Sequence, residues 1–329
     1  MAELTTGHPV LYSFRRCPYA MRARSAVLAS GLMVELREVQ LKQKPEAMRQ
    51  ASAKGTVPVL VCPDGTVIDE SLDVMHWALQ QADPLNWLAC ADGFPLIAEN
   101  DGPFKYHLDR FKYSDRYPGC QRDQHQSAGL RILTGWNALI DAQGWLCGDQ
   151  QSLVDAALWP FVRQWRIADP TGFDADPALV ALRAWLSRFL ESPAMDRLMG
   201  RMDPWSPGDK PQYFPADSEA VPLDQPLFHL ALEQDWINAQ ASGYYNVSTR
   251  GLNLDQVGFI HLSWRDQVAD SFNRFYADAG AVLVLEIDPF MVASPLRADA
   301  SPSGELFPHL YGRLPVAAVV AEHPAPDKV

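Results

Sequence analysis

The chain has 329 residues, too many for one compact core, so two or three domains are expected. It is 47% hydrophobic and 21% charged, and its net charge of -12 argues against a nucleic-acid-binding surface and against anionic membranes, while leaving room for a local basic site. Met1 to Gly7 has neither a basic stretch nor an apolar core, and no uncharged apolar run approaches the roughly 18 residues that span a bilayer, so neither a signal peptide nor a membrane segment is expected.

In chain order, a strand at 10–14 leads through Phe14-Arg15-Arg16-Cys17-Pro18-Tyr19-Ala20 into a helix that stops at Gly31. A strand at 34–39 and a helix opened by Pro45 follow. Thr56 to Val61 turns through Pro63-Asp64-Gly65 into Thr66 to Ile68, and an Asp-Gly between two β-branched runs is a strong hairpin signal. A helix from Ser71 to Gln81 completes a β-α-β-α-β-β-α order, that of a thioredoxin-like domain over 1–82. Residues 83–202 read as all-helical: Ser152 with Asp155 three residues on opens one helix with a capping box, and Leu179, Leu182, Leu186 and Leu190 lie near one face of another, from Pro177 to Glu191. Prolines at 204, 207, 211, 215, 222 and 226 make 203–226 a linker, either an extended tether or, given Trp205, Tyr213 and Phe214, a loop packed on a domain. Residues 227–321 form a small α+β domain, with strands at 281–287 and 316–320, helices at 233–241 and 265–278, and a tail at 322–329.

Cys17 is the most informative residue. A strand-to-helix junction meets a helix N-terminus, whose unpaired N–H groups and dipole favour a thiolate. Arg15 and Arg16 add positive charge, and Pro18 suits the first turn. The expectation is a reactive thiolate near neutral pH, beside the plainer reading of a small buried apolar residue. Position 20 is Ala, so a disulfide cycle needs an external thiol. The five cysteines (17, 62, 90, 120 and 147) form no C-x-x-C pair, which indicates neither a metal site nor a disulfide framework and fits a reducing cytoplasm.

Residues 9 to about 202 resemble the glutathione S-transferase superfamily, closest to its omega-like, cysteine-type members. The features are Cys17-Pro18-Tyr19-Ala20, Leu41-Lys42-Gln43-Lys44-Pro45, Thr56-Val57-Pro58-Val59-Leu60, Asp69-Glu70-Ser71 and the box at 152–155. The resemblance implies glutathione as cofactor and Cys17 as catalytic nucleophile. It implies a cis Pro58 that turns Val57 to pair with the cysteinyl part, Glu70 and Ser71 on the γ-glutamyl end, and Lys44 on the glycyl carboxylate. The plainer readings are a trans edge proline, a helix-capping Ser71 and a solvated Lys44. Tyr12 and Ser13 compete with Cys17, since other classes of the superfamily activate glutathione with a hydroxyl. Thiol transfer through a Cys17–glutathione mixed disulfide is the first expectation, and conjugation to an electrophile the second. A non-catalytic dimerisation or docking module is the third. An acceptor pocket is expected from Phe14, Tyr19, Phe104, Tyr106 and Tyr113, which also fit a core. A homodimer is the family habit.

Residues 227–321 resemble the bacterial family "domain of unknown function 952". The matching pieces are Leu227-Phe228-His229-Leu230, Trp236, Gly258-Phe259-Ile260-His261-Leu262-Ser263 with Gln267, Leu285-Glu286-Ile287-Asp288-Pro289 and Phe307-Pro308-His309-Leu310-Tyr311-Gly312. The resemblance implies a fold similar to the ADP-ribosyltransferase-like folds. His229, His261 and His309 follow apolar residues on strand-like runs, which turns the imidazoles away from the core. Convergence with Ser263 and Tyr311 would give a polar pocket suited to a nucleotide-like ligand; separate structural histidines are the alternative. Five Arg, no Lys and ten Asp or Glu in this segment favour a small ligand over a polynucleotide.

Overall fold

The structure is a computed structural model that describes residues 8–90 and 93–326. The leader reading of Met1 to Gly7 therefore lies outside the described residues, as does the end of the tail.

The first unit runs β1 (Val10–Ser13), α1 (Pro18–Ala29), β2 (Val34–Glu38), α2 (Glu46–Ala51), β3 (Val59–Val61), β4 (Val67–Ile68) and α3 (Ser71–Gln81). β1 is central, parallel to β2 and antiparallel to β3, which pairs with β4. All four residues of β1 are buried, which is why an uninterrupted apolar run codes for it. Asp64 accepts from the Thr66 N–H at 2.8 Å and Gly65 takes φ 87°, so the Asp-Gly pair makes the hairpin turn it promised. α1 is buried from Ala20 through Leu28, because it lies between α3 and the helical unit. A helix enclosed on all sides needs small and apolar residues all round, and its two arginines, Arg22 and Arg24, need partners.

The helical unit contains α4 (Phe94–Glu99), a π-helical turn at Asn100–Phe104, α5 (Lys105–Lys112), α6 (Arg122–Gln143), α7 (Leu153–Ala168), α8 (Pro170–Ala175), α9 (Val180–Leu190) and α10 (Pro193–Met199). The buried side chains of Trp136, Trp159, Trp165 and Trp185 fill its centre. Ser152 and Asp155 form the reciprocal box at the start of α7. Asp155 is fully buried and also accepts from the Leu146 N–H at 2.9 Å and from Trp185 Nε1 at 2.8 Å. One carboxylate thus starts α7, closes the loop before it and ties in α9. No described helix is long and apolar enough to cross a membrane.

The proline-rich segment is not an open tether. Tyr213–Phe214 (β5) pairs antiparallel with β2 as a fifth strand of the first sheet, and Phe214 is buried. Trp205 donates its N–H to the Glu38 carbonyl at 2.9 Å and lies 4.3 Å under the Arg37 guanidinium. Ser218–Ala220 (β6) already belongs to the last unit. The aromatics decide this: proline blocks helix, but an edge strand tolerates it and Phe214 gains core contacts.

That unit continues with β7 (Leu227–Leu232), α11 (Glu233–Ser242), β8 (Tyr244–Tyr245), β9 (Val247–Thr249), β10 (Leu252–Asn253), α12 (Leu254–Val257), β11 (Ile260–His261), α13 (Val268–Phe275), β12 (Val282–Ile287), β13 (Leu296–Ala300), β14 (Leu306–Leu310), β15 (Leu314–Pro315) and β16 (Val319–Pro324). Its main sheets are β11-β14-β13-β6 and β16-β12-β7, bridged between Phe228 and Ser263. β16 pairs with β12 as far as Pro324, so the start of the expected tail is strand.

Cys90 and Cys147 form a disulfide, against the expectation of none. They are 57 residues apart, and tertiary packing rather than sequence spacing brings them together. Among the described residues Cys17, Cys62 and Cys120 are free. In denaturant without reductant, thiol titration should count these three, and five after reduction; five without reductant would refute the bridge. Asp155→Ala should lower stability by about 3 kcal/mol or more, through loss of the cap and several orphaned buried donors. A urea midpoint unchanged from the parent would contradict that role.

Candidate functional site

Cys17 caps α1 in an extended conformation, with Pro18 at the first helical position. Its thiol donates toward the Val57 carbonyl at 3.9 Å, and the Val57–Pro58 peptide is cis. Burial pushes the Cys17 thiol above its ordinary value. The backbone N–H groups of Ala20 and Tyr19, and the charges of Arg24 and Lys105, work against burial without overcoming it. This corrects the expected free thiolate: the N-terminus is present, but desolvation of the half-enclosed sulfur outweighs it. The helpful cations are also different from those expected. Arg15 donates its N–H to Glu38 and its guanidinium to the Met199 carbonyl, and Arg16 is exposed beside Phe14.

Glu70 and Ser71 stand at the start of α3. Ser71 is buried, and its hydroxyl accepts from Arg22 Nε at 3.0 Å. Arg22 makes a bidentate pair with Asp101 at 2.8 Å on both arms, so a residue of the helical unit holds the arginine that holds Ser71. Glu70 precedes Ser71 and meets Lys54 Nζ at 2.5 Å, and Lys54 also reaches Asp69 at 3.1 Å. Lys44 stands half-buried before α2, where its carbonyl accepts from Arg49. Lys54, Arg22, Asp101, Arg24 and Lys105 were not anticipated. An arginine in an otherwise apolar helix face was the available signal for Arg22 and Arg24.

The expected acceptor pocket does not assemble as drawn. Phe14 packs in the small cluster that includes Cys17 and Trp205. Tyr19 meets Phe161 edge-on at 4.9 Å and lies under Arg22, with its hydroxyl pushed up to about 12 by burial and then by Asp101. Phe104, however, is fully buried against Trp136 and Trp165 and belongs to the core. Tyr106 is half exposed among His107, His125 and Arg110, and Tyr113 sits between Lys112 and Arg116. Tyr12 is fully buried, and its hydroxyl accepts from Arg37 at 2.8 Å; Ser13 is likewise enclosed. Both competing hydroxyls are thus out of reach.

His229, His261, Ser263, His309 and Tyr311 all line one cavity of about 1220 Å³. Its other wall is the transferase-like part, including Ser25 and Leu28 of α1, Leu85 and Trp145. The centre of the polar side is Asp299, which the sequence reading passed over. It accepts from Ser218 at 2.5 Å, Arg297 at 2.8 Å, His309 at 3.0 Å and Tyr311 at 2.5 Å, with Arg197 at 3.3 Å. Burial alone would raise its pKa, but the His309 hydrogen bond, the Arg297 charge and the two hydroxyls hold its carboxyl well below the usual range. Arg297 and Asp299 alternate on β13, so a charged pair on one strand face was the missed signal. Among the described residues, no three His, Cys, Asp or Glu are placed to hold a metal.

With Cys17 unmodified, its alkylation by iodoacetamide, followed on the Cys17 peptide, should keep rising with pH to beyond 9.0, the ordinary thiol value. A plateau near neutrality would overturn the dominance of burial.

Residues 11–86 match the family "Glutathione S-transferase, N-terminal domain", and residues 108–188 match "Glutathione S-transferase, C-terminal domain". Residues 230–322 match "Protein of unknown function (DUF952)". The chain is 24% identical over 199 residues to Glutathione S-transferase omega-1 of Rattus norvegicus, covering 56% of this chain and 77% of that one. Over 70 residues it is 39% identical to a protein named Probable glutathione transferase from Aplysia californica, covering 21% of this chain and 74% of that one. Among solved structures, glutathione transferase Omega 3C from Trametes versicolor superposes with a TM-score of 0.51 at 20% identity, over 61% of this chain and 88% of that one. A glutathione transferase family member from Pseudomonas fluorescens, solved with two glutathione bound, also gives 0.51, at 16% identity, over 60% of this chain and 95% of that one. A thioredoxin-like sheet with its helical partner, a cysteine capping α1 and these matches converge: the chain belongs to the glutathione S-transferase family and carries a DUF952 domain behind that architecture.

Proposed function

We propose that the chain is a glutathione-dependent thiol transferase with Cys17 as nucleophile. The observation that carries this reading is the Cys17 thiol on the cap of α1, beside the Val57 carbonyl, with Ala at position 20. In the first step the Cys17 sulfur attacks the glutathionyl sulfur of a mixed disulfide. The old S–S bond breaks, a Cys17–glutathione disulfide forms, and the acceptor leaves as a thiolate that takes up a proton. A second glutathione, as thiolate, attacks the glutathionyl sulfur, and oxidised glutathione departs as Cys17 is regenerated. Glutathione would lie with its γ-glutamyl end on Ser71 and Glu70, its cysteinyl part on the Val57 backbone and its glycyl carboxylate toward Lys44. Ser71 is well suited: with Arg22 donating to its oxygen, its own proton is free to go to a carboxylate. Arg24 and Lys105 favour the thiolate as the sulfur gives up its proton. Such a cycle consumes reduced glutathione and suits a reducing cytoplasm, a reading that rests on the cycle and not on the cysteine pattern, since Cys90 and Cys147 are paired. A homodimer is part of the same proposal.

Conjugation to an electrophile is the second reading, favoured by the raised pKa of Cys17, which leaves glutathione's own thiol as the alternative nucleophile. Cys17→Ser separates the two. It should cut reduction of a glutathione mixed disulfide by at least about 100-fold while retention on immobilised glutathione persists. Unchanged reduction would eliminate Cys17 as nucleophile; gain of activity toward an aromatic halide with loss of reduction would favour conjugation in the variant alone. Failure of the parent to be retained on glutathione would favour a non-catalytic docking module.

A further inference from the structure

Cys17 is not among the residues that line the interdomain cavity, whose polar groups have a definite hydrogen-bonding sense. His229 Nδ1 lies 2.7 Å from the His261 carbonyl, which only accepts, so the ring proton sits on Nδ1. His229 Nε2 is then an acceptor, and it is buried without a partner on a side chain that is 3% exposed. His309 Nδ1 faces the Asp299 carboxylate at 3.0 Å, which fixes the same tautomer and leaves Nε2 as a second acceptor. Phe259 stacks on His309 at 4.0 Å and meets His261 at 4.8 Å. The remaining walls are largely apolar, with Leu28, Leu85, Trp145 and Phe275 among them.

The cations around this space are already engaged. Arg297 and Arg197 meet Asp299, and Arg274 meets Asp270 at 2.7 Å. Arg188 is stacked on Trp145. A phosphate would have to compete with carboxylates for its partners, which departs from the nucleotide-like ligand read from the sequence.

We infer that this cavity is a second binding site, built jointly by the transferase part and the C-terminal domain, for a neutral, largely apolar aromatic molecule that donates its one hydroxyl proton to the His309 Nε2 acceptor. A buried acceptor without a partner rewards a donor and discriminates against its capped analogue. The test compares 4-ethylphenol with its methyl ether by calorimetric titration of the full chain, with AMP as a third probe. The phenol should bind about tenfold more tightly than the ether. His309→Phe or His309→Leu should bring the two affinities together while leaving the ether's nearly unchanged. The second variant answers the question if the first does not fold. No binding of either probe at millimolar concentration, equal affinities in the parent, or a preference that survives in both variants would overturn the proposal. So would AMP binding more tightly than the phenol.

Discussion

A buried carboxylate, Asp299, holds the two halves of this protein in register. It draws donors from Ser218 on β6, Arg297 on β13, His309 on β14, Tyr311 just beyond and Arg197 on α10, the last from the transferase part. Arg297 in turn donates to the Leu32 carbonyl between α1 and β2 at 3.3 Å. An ionised carboxylate in this setting is tolerable only because nearly every lone pair is used; removing a partner from a buried pair typically costs about 3–5 kcal/mol. The strands that carry these donors therefore have little freedom of register. The cavity beside them takes its shape from the same constraint.

The electrostatics at Cys17 show the opposite balance. At Asp299 burial is outweighed by donors and cations, whereas at Cys17 the donors of the helix cap and two cations do not offset burial. The difference lies in contact. Asp299 accepts hydrogen bonds at 2.5 to 3.0 Å, while the Cys17 thiol donates to the Val57 carbonyl at 3.9 Å and the N–H groups of Ala20 and Tyr19 do not make up for its burial. A helix N-terminus read from sequence indicates the direction of an electrostatic effect, and only packing decides which effect prevails.

Local chemistry was legible in the sequence where it acts over a few residues. The Asp64-Gly65 turn, the Ser152–Asp155 box and the span of α3 follow from spacing alone, and the cis Val57–Pro58 peptide agrees with what the family resemblance implies. What was not legible depends on distant segments meeting. Cys90 and Cys147 pair across 57 residues, Asp101 reaches Ser71 through Arg22, and Phe104 is consumed by tryptophans from α6 and α7. The proline-rich segment was misleading because proline content reports what a backbone cannot do. The partners of Trp205 and Phe214 determine what it does. The three histidines and Tyr311 were visible as candidates, but the aspartate that orders them was not, since acids on a strand are usually solvated.

α1 has an arrangement that concerns both halves. Cys17 caps its start, and just past its end stands Gly31, whose φ is 75° and where an added Cβ would lie 2.0 Å from the Tyr311 ring. Twelve residues of helix are about 18 Å long, and between these ends Ser25, Leu28 and Ala29 form part of the cavity wall. The Cys17 cap and the interdomain cavity therefore share this one rod of helix. A displacement of α1 that moved one would alter the other, and by thermodynamic reciprocity an occupant that prefers one position of the rod would be felt equally at both ends.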